Sequence, residues 1–187
     1  FKNLILTGTD WNLLPTGHWT QEAGYNPLEE PGIKLLRCSH IAFDGCTITN
    51  FGGVGILSDN SEFITVDGCE ISQSGNSCIV LNGPAGVVAD DNASGHTISN
   101  NNLHDFGRID VGAHGVCGIA VGNTTVEHND ITDGSFQAVR FRGRLDSLKF
   151  QGRNNHVIWN RIDNVVRELN DGAAIYFSGR QPGSTAS

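Results

Sequence analysis

The sequence predicts an all-β fold: a right-handed parallel β-helix (β-solenoid) of about five to six coils, itself a segment of a longer helix. Three observations carry this. Apolar residues Ile48, Ile71, Leu103, Ile131 and Ile162 recur at intervals of 23, 32, 28 and 31 residues. Five positions before each stands another apolar residue: Phe43, Val66, Ile98, Val126 and Val157. Two positions before each stand Cys46, Cys69, Asn101, Asn129 and Asn160. Repeats of roughly 20 to 50 residues signal a solenoid.

A second element recurs between these: VGILSDN, SCIVLNG, CGIAVGN, QAVRFRG and AAIYFSG. It aligns Ile56, Ile79, Ile119, Val139 and Ile175 in one column, and Ser58, Leu81, Val121, Phe141 and Phe177 in the next. Alternation by two puts both columns on one strand face. The pattern therefore reads as two short strands per repeat with no helical periodicity between them. The Asn column is expected to form an amide ladder, with Cys46 and Cys69 continuing it as small buried thiols.

Domain organisation is simple. The chain reads as one domain over residues 1–187, with an irregular loop region over 1–32 and coils over 33–187. The loop region holds Trp11, His18, Trp19 and Tyr25. Those aromatics either pin the loop to the body or stack on sugar rings. Neither end shows an amphipathic helix to cap an open sheet, so further coils of the same polypeptide are expected at one or both ends.

Composition narrows the partners. The 24 glycines and 38% hydrophobic content suit short strands and tight turns. The net charge of −8 argues against nucleic-acid or anionic-membrane surfaces. No apolar run approaches the roughly 18 residues of a membrane span. Five cysteines without CxxC spacing argue against a disulfide scaffold or a zinc site. Asp90 and Asp91 leave calcium open, although a solvated loop explains them as well. No other cofactor is expected.

The candidate chemistry is acidic. Glycoside cleavage needs one carboxyl to protonate the leaving oxygen and another to act as nucleophile or base. Asp105 and Asp133 stand two residues after an anchor, where other coils carry Asn50, Gln73 and Asn164. Glu168 and Asp171 lie in the loop leading to the last strand, beside Arg167. A turn cap is the competing role for any one of these aspartates. Arg140, Arg142 and Tyr176 fall between the buried columns, on an outward strand face suited to sugar hydroxyls or carboxylates. His104 and His128 adjoin the same region, as ligand contacts or as solvated turn residues.

The stretches TDWNLLPTGHW, CSHIAFDGCTITNFGGVGI, NNNLHDFGR, VEHNDITDG and NRIDNVVRELNDGAAIYFSGRQPG resemble right-handed parallel β-helix carbohydrate-active enzymes. The family they are most similar to is glycoside hydrolase family 141, which contains fucosidase and xylanase activities. The resemblance implies a catalytic pair of surface aspartates. The aspartate of HNDITDG maps to Asp133 and that of NDGAAIY to Asp171, with Asp130 or Asp105 as alternatives to the first. It also implies a secreted or periplasmic protein and a carbohydrate substrate. Substrate contacts are expected from Arg140, Arg142, Tyr176, Glu168, His104, Asp105 and Trp11. One departure is the basic stretch RFRGRLDSLKFQGR, where the family tends to carry a Gly-rich, aromatic segment. That stretch points to an acidic sugar.

Three functional classes follow. The leading one is a glycoside hydrolase. The second is a polysaccharide lyase or C5-epimerase, with Arg140 or a lysine or histidine neutralising charge or acting as base, with or without calcium. The third is a non-catalytic glycan-binding or adhesin solenoid. One scaffold hosts all three.

Overall fold

The computed structural model describes residues 1–9, 31–84, 93–143 and 152–187. Among these residues the chain winds through three parallel sheets of six strands each, one strand of each sheet per full coil. Sheet A holds β3 (Ala42–Asp44), β6 (Thr65–Asp67), β9 (Thr97–Ser99), β12 (Thr125–Glu127), β15 (His156–Ile158) and β18 (Thr185–Ala186). Sheet B holds β1 (Ile5–Thr9), β4 (Thr47–Phe51), β7 (Glu70–Ser74), β10 (Asn102–Phe106), β13 (Asp130–Thr132) and β16 (Arg161–Asp163). Sheet C holds β2 (Ile33–Leu36), β5 (Ile56–Asp59), β8 (Ile79–Asn82), β11 (Val116–Ile119), β14 (Val139–Arg142) and β17 (Ile175–Ser178).

The anchors land where their spacing placed them. Ile48, Ile71, Leu103, Ile131 and Ile162 are paired in register along sheet B. Phe43, Val66, Ile98, Val126 and Val157 do the same along sheet A. Together with Ile56, Ile79, Val116 and Val139 of sheet C they fill the core. Each fully buried isoleucine contributes about 2 kcal/mol by removing apolar area from water.

Each coil has three strands, one more than the pattern indicated. The first recurring element is split at a corner between sheets A and B, because Gly45, Gly68, Asn100, His128 and Trp159 all take φ between 53° and 61°. A left-handed residue ends the extended run and turns the chain. The strands on either side are only three to five residues long, too short for alternation to reveal the break. Within the region 1–32, the alternating stretch at its start forms β1, which pairs in parallel with β4.

The expected ladder occupies this corner. Asn101 Nδ2 donates to Asn129 Oδ1 at 2.9 Å, and Asn129 Nδ2 donates to Asn160 Oδ1 at 2.9 Å. Each Oδ1 also accepts the backbone N–H one coil earlier, including Cys69 N to Asn101 at 2.8 Å and Asn129 N to Asn160 at 2.9 Å. Cys46 N donates to Cys69 Sγ at 3.3 Å, so the thiols do continue the column. All five cysteines are free.

A second corner ladder, between sheets C and A, was not legible in the sequence. Ile64 N donates to His96 Nδ1, Thr124 N to Asn155 Oδ1 and Asn155 N to Ser184 Oγ, at 3.3, 3.2 and 3.0 Å. Its members differ in residue type, which hides the column. Burial holds the His96 imidazole neutral, with its pKa lowered to about 4.

One register differs from the expectation. In β11 the inward residues are Val116 and Gly118, which pair with Ile79 and Leu81. Ile119 and Val121 are not in those columns. Gly118 gives no apolar mark because the Phe141 ring of the next coil fills its space. A Cβ at Gly118 would lie 2.4 Å from that ring.

Candidate functional site

Two regions of the surface collect the candidate residues. The first lies where the chain leaves sheet B. Register places Gly8, Asn50, Gln73, Asp105, Asp133 and Asn164 one above another, each one residue beyond a paired position. All have φ between 50° and 82°. Asn and Asp tolerate this region better than most side chains, so Asp105 and Asp133 do have a local role in turning the chain. They also line a groove of about 340 Å³, together with Phe106, Arg108, Ser135, Arg167 and Glu168.

The walls of this groove are two excursions, 107–115 and 164–174, which both fold back on neighbouring backbone. Ile109 N donates to Gly75 O at 2.9 Å and Asp110 N to the same oxygen at 2.8 Å. The buried Asp110 carboxylate accepts from Asn76 Nδ2 and from Gly112 N, each at 3.0 Å. Val166 N donates to Phe136 O at 2.7 Å and Glu168 N to Ser135 O at 3.0 Å. Beneath them Gly134 packs directly on the Phe106 ring, where a Cβ would lie 1.9 Å from Cζ.

Side-chain contacts fix both aspartates. Asn164 Nδ2 donates to Asp133 Oδ1 from the next coil. His104 Nδ1 lies 2.8 Å from Asp105 Oδ2, and its Nε2 lies 3.7 Å from Glu70 Oε1. Asp130 does not face the groove. It is held by Arg161 through two bonds of 2.7 and 2.9 Å on the outer face of sheet B. His128 stacks against the exposed Trp159, with ring centroids 5.1 Å apart.

The second region is the outer face of sheet C. Arg140 and Tyr176 are register partners, as are Arg142 and Ser178. The Arg140 guanidinium lies 5.5 Å from the Tyr176 ring centroid. The expectation of an exposed face is not met. Arg140 is 6% exposed, Leu57, Val80 and Cys117 are fully buried, and Ile119 is 3% exposed. Arg142 is partly buried and Tyr176 is 38% exposed.

Sequence reasoning missed His114 here. It is fully buried, edge-on to Phe136 at 5.7 Å. Neither ring nitrogen has a hydrogen-bond partner among the described residues, and neither does Gln137 Oε1. Burial, aided by the positive charge of Arg140, lowers the His114 pKa to about 3. Burial also raises the Cys117 thiol, although Arg140 and Arg142 pull it back. No sequence signal separates this His from a surface turn residue, because its burial comes from sheet packing.

The remaining candidates divide. Asp171 is exposed in the 164–174 excursion and is not among the groove's lining residues. Arg108, which sequence reasoning did not single out, is among them. Trp11, Asp90 and Asp91 lie outside the described residues. No cluster of three metal-ligating side chains occurs among the described residues.

Three stacked parallel sheets joined by corner ladders define a parallel β-helix. The chain belongs to the right-handed β-helix family: the family model described as "Right handed beta helix region" matches residues 31–185. No curated protein matches the sequence. Among solved structures, one described as a glycoside hydrolase aligns with a TM-score of 0.76 at 21% identity, covering 84% of this chain. The A-module of the Azotobacter vinelandii mannuronan C-5 epimerase AlgE6 aligns with a TM-score of 0.54 at 19% identity, also over 84% of the chain. The chain spans 28% of the length of the first and 42% of the second. These likenesses show the fold.

Proposed function

We propose that this chain carries the groove of a glycoside hydrolase, with Asp133 as one of its two catalytic carboxylates. The observation that carries the reading is the joint lining of one groove by Asp105, Asp133 and Glu168 with Arg108 and Arg167. Asp105 and Asp133 sit on adjacent coils, about 4.8 Å apart along the helix axis. That step is close to the roughly 5 Å carboxyl separation of retaining glycosidases and short of the inverting range. In this arrangement Asp105 protonates the glycosidic oxygen as the bond to the anomeric carbon breaks. The Asp133 carboxylate, oriented by Asn164, attacks that carbon. Asp105 then deprotonates the incoming water, which releases the sugar and restores both groups. Arg108 and Arg167 supply donors for sugar hydroxyls.

The pair implied by the family resemblance, Asp133 with Asp171, differs in the second carboxylate. It is separated from the first by substitution of Asp105 and Asp171 in turn. A scaffold shared with a protein described as a glycoside hydrolase supports the general reading.

The outer face of sheet C favours a second reading, a lyase or C5-epimerase. Arg140 over Tyr176, with the buried His114 nearby, brings a guanidinium, a hydroxyl and an imidazole together. The third class, glycan binding without catalysis, uses the same groove.

One screen on defined neutral and acidic oligosaccharides separates the three. Hydrolysis releases reducing ends without new ultraviolet absorbance. A lyase produces an absorbing unsaturated end, an epimerase changes the uronate composition alone, and a binder leaves the sugars intact. New absorbance would overturn the hydrolase reading.

A further inference from the structure

A second concavity continues the groove along the helix axis. It measures about 330 Å³ and is lined by Thr9, Asn50, Phe51, Gln73, Arg108 and Ile109, among others. Arg108 borders both spaces. The connection is dictated by the coils. Asn50, Gln73, Asp105 and Asp133 belong to one register column with left-handed backbone throughout. Three coil steps of about 4.8 Å carry that column over about 14 Å.

The two halves differ chemically. Asp105, Asp133, Glu168, Arg108 and Arg167 make one half charged. The other half offers two amides, the Thr9 hydroxyl, and apolar surface from Phe51 and Ile109. Apart from Arg108, its lining among the described residues carries no formal charge. Amides both donate and accept, and so match sugar hydroxyls without requiring a carboxylate. Ile109 is 43% exposed, and the backbone bonds of 109 and 110 to Gly75 hold it in the wall.

We infer that the Asn50–Gln73 half is a binding subsite for uncharged sugar units of an extended glycan, which lies along the helix axis with its reacting bond at the Asp105–Asp133 end. This rests on the proposed function for the position of the reacting bond, but not for binding. The chain should therefore recognise oligosaccharides by length, and the units held beyond Arg108 should be neutral.

The test uses the intact protein and a panel of neutral and uronate oligosaccharides of increasing length from disaccharides upward. Affinity is measured by calorimetry on Asp133→Asn, and turnover on the wild type. The perturbing variants are Asn50→Gly and Gln73→Gly, which remove the amide at a positive φ where glycine is unstrained. The expected result is affinity that rises with length for neutral chains. The variants should lose about tenfold on the longest chains and nothing on disaccharides, with unchanged thermal unfolding. Equal affinity for short and long chains, variants that bind long chains like the parent, or failure of every glycan to bind would each overturn the inference. Length-dependent binding without turnover would leave the subsite standing and remove the hydrolase reading. Turnover of disaccharides with no gain from length would do the reverse.

Discussion

Asn129 is clamped to Asn101: its Oδ1 accepts both the backbone N–H and the side-chain amide of Asn101, at 3.0 and 2.9 Å. Its own Nδ2 reaches back to Ile98 O at 2.9 Å. One side chain thus satisfies buried backbone groups from two different positions of the preceding coil. Asn129→Ala strands a buried donor and a buried acceptor at once. Each costs about 1–3 kcal/mol. Chemical denaturation should show a loss of about 3 kcal/mol, whereas Asn154→Gly, at an exposed pair with a left-handed backbone that glycine adopts without strain, should change little. Equal effects at the two sites would contradict the ladder's role.

Gly118 illustrates a second dependence. Phe141 is 1% exposed and fills the space above it. Gly118→Ala forces that ring to move in a packed core, at a cost of about 1–3 kcal/mol. Phe141→Leu in the same chain should recover part of the loss, measured as a shift in unfolding midpoint. An additive double variant would show that the two positions do not share this space.

Much of this scaffold was legible because stacking imposes the same demand on every coil. The anchors of sheets A and B repeat as apolar residues, and the first ladder repeats as Asn. Legibility failed where a coil meets the demand differently. Gly118 leaves its volume to a neighbour, and the second ladder uses His96, Asn155 and Ser184 in turn for one acceptor role. The third strand was hidden by left-handed corners at residues as different as Gly68 and Trp159. At the site, Asp105 and Asp133 were visible as departures from Asn50, Gln73 and Asn164. Arg108 was not, because only the fold of the 107–115 excursion carries it into the groove.

Acid should destabilise the chain through its buried histidines. His96 and His114 titrate at about 4 and about 3 in the folded chain, against 6.5 when unfolded. Below pH 6.5 the unfolded state binds more protons, so stability falls with pH until the folded values are reached. Above pH 6.5 this contribution is complete. The slope is about 1.4 kcal/mol per pH unit for each histidine. Urea midpoints between pH 7 and 5 should fall in the parent and fall less in His114→Gln. An identical slope in that variant would contradict a neutral, buried His114.

Product stereochemistry reports on the carboxylate spacing. A carboxyl separation that follows the coil step of about 4.8 Å falls in the retaining regime, so the proposed Asp105–Asp133 pair predicts that the first-formed sugar keeps the anomeric configuration of the substrate. Proton NMR of early product reads this directly, and an inverted product would move the second carboxylate away from Asp105.

The decisive measurement is turnover of Asp133→Asn, Asp105→Asn and Asp171→Asn on whichever oligosaccharide the wild type cleaves. The groove predicts a loss of about 1,000-fold for Asp133→Asn and for Asp105→Asn, with near wild-type rates for Asp171→Asn and unchanged unfolding in all three. Wild-type turnover by Asp133→Asn would contradict the account outright.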